Sequence, residues 1–329
     1  MKTSKKKIDA LNLELTLEIT KDDYAEIERK KIAEQKRTAE FKGFRKGMVP
    51  ESLIRRVYGD RILADAVNQV ISQGLQDFIV KEKLNVLGEP LGSEKQPEVD
   101  WKDGNDFKFV FDIALYPEIN LEADSTDSVN HYQISLSAKD KSAMKDNLKK
   151  YYEDKKQEKT DDEIDREVSD RMASEYKSEA EWRLSLDIRR HFVEKAALAL
   201  PEAFLKRWLA YNNENMKPED IERDFPRFLE DFRWQLVRSY FMKKFAFDIT
   251  KADLEEAAKS YITYQYAMYG MGGVPEEIIK SSVDQMLSDP KQTDRLAEQV
   301  EDGKVLGKLK EVITISKKKI TSEKFRELK

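Results

Sequence analysis

The chain has 329 residues, enough for two or three domains. Charged residues make up 37% of it, yet the formal net charge is only −5, so it is not basic throughout and any nucleic-acid-binding surface must be local. It has no cysteine, which excludes disulfides and thiolate chemistry and is compatible with a reducing cytoplasm.

The start carries Lys2, Lys5, Lys6 and Lys7 with no apolar run behind them, so it does not read as a signal peptide. Leu11, Leu13, Leu15, Leu17 and Ile19 alternate with polar residues, and this period of two predicts a half-buried strand over 7–19. A charged helix follows over Lys21–Thr38, with Asp22 and Asp23 near its start and Ile27 and Ile32 among its few apolar positions. A strongly amphipathic helix over Gly59–Lys83 carries Ile62, Leu63, Ala66, Val67, Val70 and Ile71 on one face. Val86–Leu91 reads as a short strand. Phe107 to Leu115 alternates as a second long one, closed by Pro117. Residues 1–117 are therefore expected to form an α+β domain, an antiparallel sheet covered by helices.

Residues 118–160 read as a linker with one strand (Val129–Leu136) and one polar helix (Ala138–Asp154). From Asp161 to residue 329 the pattern is mostly α-helical and predicts an elongated, arm-like domain. Breaks are expected at Leu200–Pro201, Lys217–Pro218, Phe225–Pro226, Gly270 to Pro275, Asp289–Pro290 and Asp302–Gly303. No stretch is long and apolar enough to span a membrane.

Two segments carry functional chemistry. Between the first two helices runs Phe41-Lys-Gly-Phe-Arg-Lys-Gly-Met-Val-Pro50. Gly43 and Gly47 let the backbone turn on both sides of Phe44, Arg45 and Lys46, and Pro50 fixes the exit. Such a tip presents an aromatic ring and two cations, which suits docking onto a ribonucleoprotein surface. The basic residues Lys42, Arg45, Lys46, Arg55, Arg56 and Arg61 are opposed locally only by Glu51 and Asp60. The plain alternative is a surface connection with Phe44 folded into the core.

The second segment lies in the helical region, where apolar residues exceed one buried stripe. Phe228, Trp234 and Phe241 sit among arginines, and Tyr264, Tyr266, Met268, Tyr269 and Met271 run into a glycine-rich break. Most such aromatics are core. The remainder, with flexible Met beside Tyr and Phe, suits a surface that fits many apolar sequences.

The chemistry of an enzyme is not evident. His131 and His191 lack partners at metal-ligand spacing, and Asp187 with His191 reads as a surface pair on one helix. Gly270-Met-Gly-Gly273 follows a helix rather than a strand, unlike a dinucleotide fingerprint. No catalytic residue, metal or cofactor is expected.

The glycine-framed loop has the form Gly-Phe-Arg-x-Gly-x-x-Pro, here Gly43, Phe44, Arg45, Lys46, Gly47 and Pro50. It sits after a strand and a charged helix and before a helix entered through Tyr58–Gly59. In this motif and context the chain resembles the bacterial trigger factor family of ribosome-associated chaperones, closely over 1–118 and more loosely over 160–329.

The resemblance implies a ribosome-binding domain at 1–117 and a helical substrate-binding domain at 161–329. Phe44, Arg45 and Lys46 would touch ribosomal protein and rRNA of the large subunit beside the tunnel exit. Phe228, Trp234, Phe241, Tyr264, Tyr266, Met268, Tyr269 and Met271 are the candidates to hold nascent or unfolded chains. It further implies an ATP-independent, cytoplasmic chaperone, and it admits a homodimer off the ribosome. The prolyl isomerase domain usual in the family would be inserted between the amino-terminal domain and the arms, but nothing aromatic-rich and β-patterned lies between Gln133 and Trp182, and the sequence runs straight into a helical pattern near Thr160. Isomerase activity is therefore not expected. A ribosome-independent holdase, a cryptic isomerase and a nucleic-acid binder remain as rival readings.

Overall fold

The computed structural model describes residues 1–213 and 215–328. They form two compact units, Met1–Glu118 with Ala199–Pro226, and Ile119–Leu198 with Arg227–Lys329.

The first unit is built on a four-stranded antiparallel sheet of β1 (Lys2–Lys7), β2 (Asn12–Ile19), β3 (Leu91–Gly92) and β4 (Phe107–Ala114), in the order β1-β2-β4-β3. The expected single strand over 7–19 is instead a hairpin. The Asp9 carboxylate accepts the amides of Leu11 and Asn12 and turns the chain between β1 and β2. Helix α1 (Lys21–Thr38) starts at a capping box of Thr20 and Asp23. Helix α2 (Glu51–Lys81) starts directly after Pro50 rather than at Gly59, because Ile54 is buried beneath the two added turns. Leu15, Leu17 and Ile19 of β2 pack with Leu63, Val67 and Phe78 of α2 and Ile113 of β4 into the main core. Of the expected strand at 86–91, Val86 forms a single bridge to Leu115 and Leu91 begins β3.

Helix α5 (Glu202–Asn212) also belongs to this unit. Arg207 on α5 donates to Asp112 of β4 at 2.6 Å and to the Gly92 carbonyl at 2.7 Å. Gly88 takes φ +71° and passes under Trp208 so closely that a Cβ there would lie 2.9 Å from the indole nitrogen. Helix α6 (Pro218–Lys244) begins in this unit and ends in the second. It runs through Pro226, where a break was expected. Phe225 and Leu229, buried on either side, hold the helix across the missing amide.

The second unit corrects two expectations. Residues 119–160 are not a linker, for β5 (Ser128–Ser135) and α3 (Ala138–Asp154) are packed parts of the unit. The chain is not helical to its end, because β6 (Thr314–Thr321) pairs in parallel with β5 in the register Ser128↔Thr314. Helices α4 (Asp161–Ala196), α7 (Lys251–Met268), α8 (Glu276–Ser288) and α9 (Pro290–Val312) make up most of the remainder, and the short α10 (Ser322–Arg326) follows β6. The row Tyr176, Ala180, Leu184, Ile188 and Phe192 is buried along α4. Helix α9 continues through Gly303, since burial of Val305, Leu306 and Leu309 outweighs the roughly 1 kcal/mol that a helical glycine costs.

Asp187 and His191 do not pair. Asp187 accepts from Arg183 at 2.8 Å, and His191 reaches the buried Asp127 at 2.8 Å. Asp127 also accepts from Lys195. Burial of its carboxyl disfavours the charge, but hydrogen bonds from Lys195 and His191 outweigh burial and hold it below the ordinary carboxylate range. At the α3–α4 turn, Glu167 accepts from Lys159, Tyr152 and Arg171, and these donors, Lys159 foremost, lower its carboxyl to about 2.

Candidate functional site

The loop between α1 and α2 is held from below and open above. Ile32, Ala39, Val49, Ile54 and Ile62 form a small buried cluster, with Phe41 packed edge-on against Tyr58 at 6.0 Å. Two successive turns rise from it, closed by Phe44 N–H to Phe41 C=O at 3.1 Å and Met48 N–H to Arg45 C=O at 2.9 Å. Gly43 and Gly47 take φ values of +92° and +82°, the left-handed region the motif implied.

Phe44 is 43% exposed, and Arg45 and Lys46 are exposed beside it. Among the described residues Arg45 has no ion pair, while Lys46 lies 3.7 Å from the exposed Glu40. That contact is long and solvated, so it restrains the amine little. Arg56 is exposed nearby. Arg55 is not part of this free charge. It holds the buried Glu28 at 2.8 Å and also contacts Glu51 and Asp103, so it serves the fold. Met48, 71% exposed, adds an apolar side chain that the motif did not single out. Nothing in the local pattern tells Met48, which points out, from its neighbour Val49, which is wholly buried.

The helical candidates separate into two groups. Trp234 and Phe241 are buried and belong to the core, which removes them from any binding surface. Trp234 donates to Asp302, and Phe241 packs against Phe192 and Phe245. Phe228 is half-buried and stacked on Phe232 at 5.6 Å. Tyr264, Met268, Tyr269 and Met271 are exposed, and Tyr266 is half-buried. They gather at the end of α7 beside a cleft of about 290 Å³ lined by Tyr261, Gln265, Tyr269, Gln285, Met286 and Gln292. Its walls mix apolar rings with amide and hydroxyl groups, which suits an extended peptide with both apolar side chains and backbone polar groups.

A small antiparallel sheet beneath helices, with an exposed aromatic–cation loop, followed by a mostly helical unit, defines a two-part α+β and α class. Residues 1–148 match the family described as "Bacterial trigger factor protein (TF)", and residues 180–329 match "Probable trigger factor, C-terminal domain". The chain belongs to the trigger factor family. Between the two matched segments lie the end of α3, the turn and the first half of α4.

Trigger factor of Aliivibrio fischeri is 30% identical over 129 residues, which is 39% of this chain and 28% of that protein. Trigger factor of Vesicomyosocius okutanii is 25% identical over 149 residues, 45% of this chain and 34% of that protein. The match to that of Coxiella burnetii is 26% over 150 residues, 46% and 33% of the two lengths. The chain thus spans about a third of the length of these curated relatives, from 28% to 34%. A solved structure from work on "Promiscuous Substrate Recognition in Folding and Assembly Activities of the Trigger Factor Chaperone" has a TM-score of 0.48 and 12% identity, covering 94% of this chain and 99% of that one. No helix of the described residues is long and apolar enough to cross a membrane.

Proposed function

We propose that this chain is an ATP-independent cytoplasmic chaperone that docks on the large ribosomal subunit at the tunnel exit and holds nascent or unfolded polypeptides. The observation that carries the reading is the exposed ring of Phe44 beside Arg45, a cation with no internal partner among the described residues. A solvent-facing aromatic costs the free protein apolar exposure and gains its return only on a partner surface. Arg45 and Lys46 bring the loop to rRNA phosphate, and Phe44 anchors it in an apolar notch. Gly43, Gly47 and Pro50 shape the loop.

Clients are held at the end of α7 by Tyr264, Tyr266, Met268, Tyr269 and Met271, with Phe228 as an outlying contact. Each contact is weak. Several on one chain raise effective affinity without slow release from any single point. The chain acts by holding rather than by catalysing prolyl isomerisation, since helices α3 and α4 fill the stretch between the two family matches.

The test is co-sedimentation with ribosomes of the wild type and of the variant Phe44→Ala/Arg45→Ala/Lys46→Ala. The variant is expected to stay in the supernatant while suppressing aggregation of an unfolded client as well as the wild type does. High salt should strip the wild type from ribosomes. Undiminished co-sedimentation of the variant would overturn the docking role.

A further inference from the structure

The chain has two lysine-rich edge strands, and only one of them has carboxylates across the ladder from its lysines. In β1, Lys2 and Lys6 stand directly across the ladder from Glu18 and Glu14, and Lys5 pairs with Glu82. Among the described residues only Lys5 of these forms an ion pair within the fold, while Lys2 and Lys6 each face a carboxylate and Lys7 faces Leu13. In β6, Lys317, Lys318 and Lys319 stand across from His131, Tyr132 and Gln133, none of them a carboxylate. All three lysines are exposed, and none has an ion pair among the described residues. Three uncompensated cations in a row are conspicuous in a chain whose net charge is −5.

Among the described residues, the backbone along the outer edge of β6 is also unpartnered. The β5–β6 sheet has two strands, so β6 pairs along one edge only and presents alternating N–H and C=O groups along the other. We propose that the free edge of β6 is a binding site for an acidic polypeptide segment, which adds as a third strand. An edge offers donors and acceptors in alternation, and another peptide strand answers both. The phosphates of a nucleic acid would answer the lysines but only accept, leaving the β6 carbonyls without a row of amide donors. Lysines on a sheet edge repel neutral and basic strands, and the same charges select one that carries Asp or Glu at successive positions. In the added strand, acidic residues beside Lys317 and Lys319 would lie on one face of the sheet and one beside Lys318 on the other.

This site is independent of the ribosome-docking loop and of the α7 surface, so its test uses the isolated full chain without ribosomes. The probe is a fluorescein-labelled ten-residue peptide rich in Val and Glu, titrated by fluorescence anisotropy. The Lys317→Glu/Lys318→Glu/Lys319→Glu variant is expected to bind it at least about tenfold more weakly, with Lys→Gln at the same positions intermediate. Lys2→Glu/Lys6→Glu in β1 should leave the affinity unchanged. The same peptide with alternate amides N-methylated tests the strand pairing without any change to the protein, and it should lose affinity to a similar degree. Equal binding of the methylated peptide would overturn strand addition. So would tighter binding of a single-stranded RNA of equal charge, or no binding of the acidic peptide at all.

Discussion

The indole N–H of Trp234 on α6 donates to Asp302 on α9 at 2.8 Å, and this contact turns a candidate binding residue into a structural one. Arg189 reaches the other Asp302 oxygen at 2.7 Å, and the buried Arg238 lies 3.4 Å from the first. Asp302 thus ties α4, α6 and α9 together within the second unit. Asp302→Ala would leave the buried indole and the half-buried Arg189 without this acceptor, while the buried Arg238 keeps Glu301 at 2.9 Å. Chemical denaturation should show a loss of about 2–4 kcal/mol.

The two groups of aromatic candidates should separate experimentally. Phe241→Ala removes a fully buried ring and is expected to cost about 3–5 kcal/mol in urea unfolding. Replacing Tyr264, Met268, Tyr269 and Met271 together by Ser touches only exposed side chains. Stability should change by less than about 0.5 kcal/mol per site, while suppression of client aggregation falls.

Gly88 is the close approach on which α5 rests. Its positive φ already disfavours a side chain, and an added methyl would press on Trp208. Gly88→Ala should destabilise the first unit by about 1–3 kcal/mol. It should also shift the tryptophan emission spectrum.

Glu167 should show its role through pH. Hydrogen bonds from Lys159, Tyr152 and Arg171 depress its carboxyl from 4.5 to about 2. A depressed acid contributes stability that is fully present above its unfolded value and is lost as pH falls through the folded one. Glu167→Gln should therefore melt below the wild type at pH 6, and the gap should close as pH drops from 4.5 toward 2. Thermal unfolding followed by circular dichroism checks both limbs.

The first unit was legible where burial wrote a period into the sequence. Strands β2 and β4 alternate because one face meets α1 and α2, and the 3.6-residue stripe of α2 is the other half of the same core. Strands β1 and β6 were missed for the opposite reason. Each lies at a sheet edge with nearly every side chain in solvent, so lysines replace the alternation that marks a strand. The partner of β6 lies more than 180 residues earlier, as the pairing Ser128↔Thr314 shows, and no local pattern encodes such a distance. The loop was read correctly as a turn because glycine at positive φ is a local requirement. The burial of Trp234 was not legible, since it depends on Asp302, which lies on another helix.

The first unit closes on residues 199–226, which leave the translating ribosome only after the whole stretch from 119 to 198. At elongation rates of about 5–20 residues per second, the amino-terminal sheet must wait roughly 5–20 s after residue 118 for its last helix. Through that interval Asp112 lacks Arg207 and the surface beside Gly88 lacks its tryptophan cover. Maturation of this region is therefore timed by synthesis of the segment spliced into its middle, and a slow codon run there would lengthen the exposure.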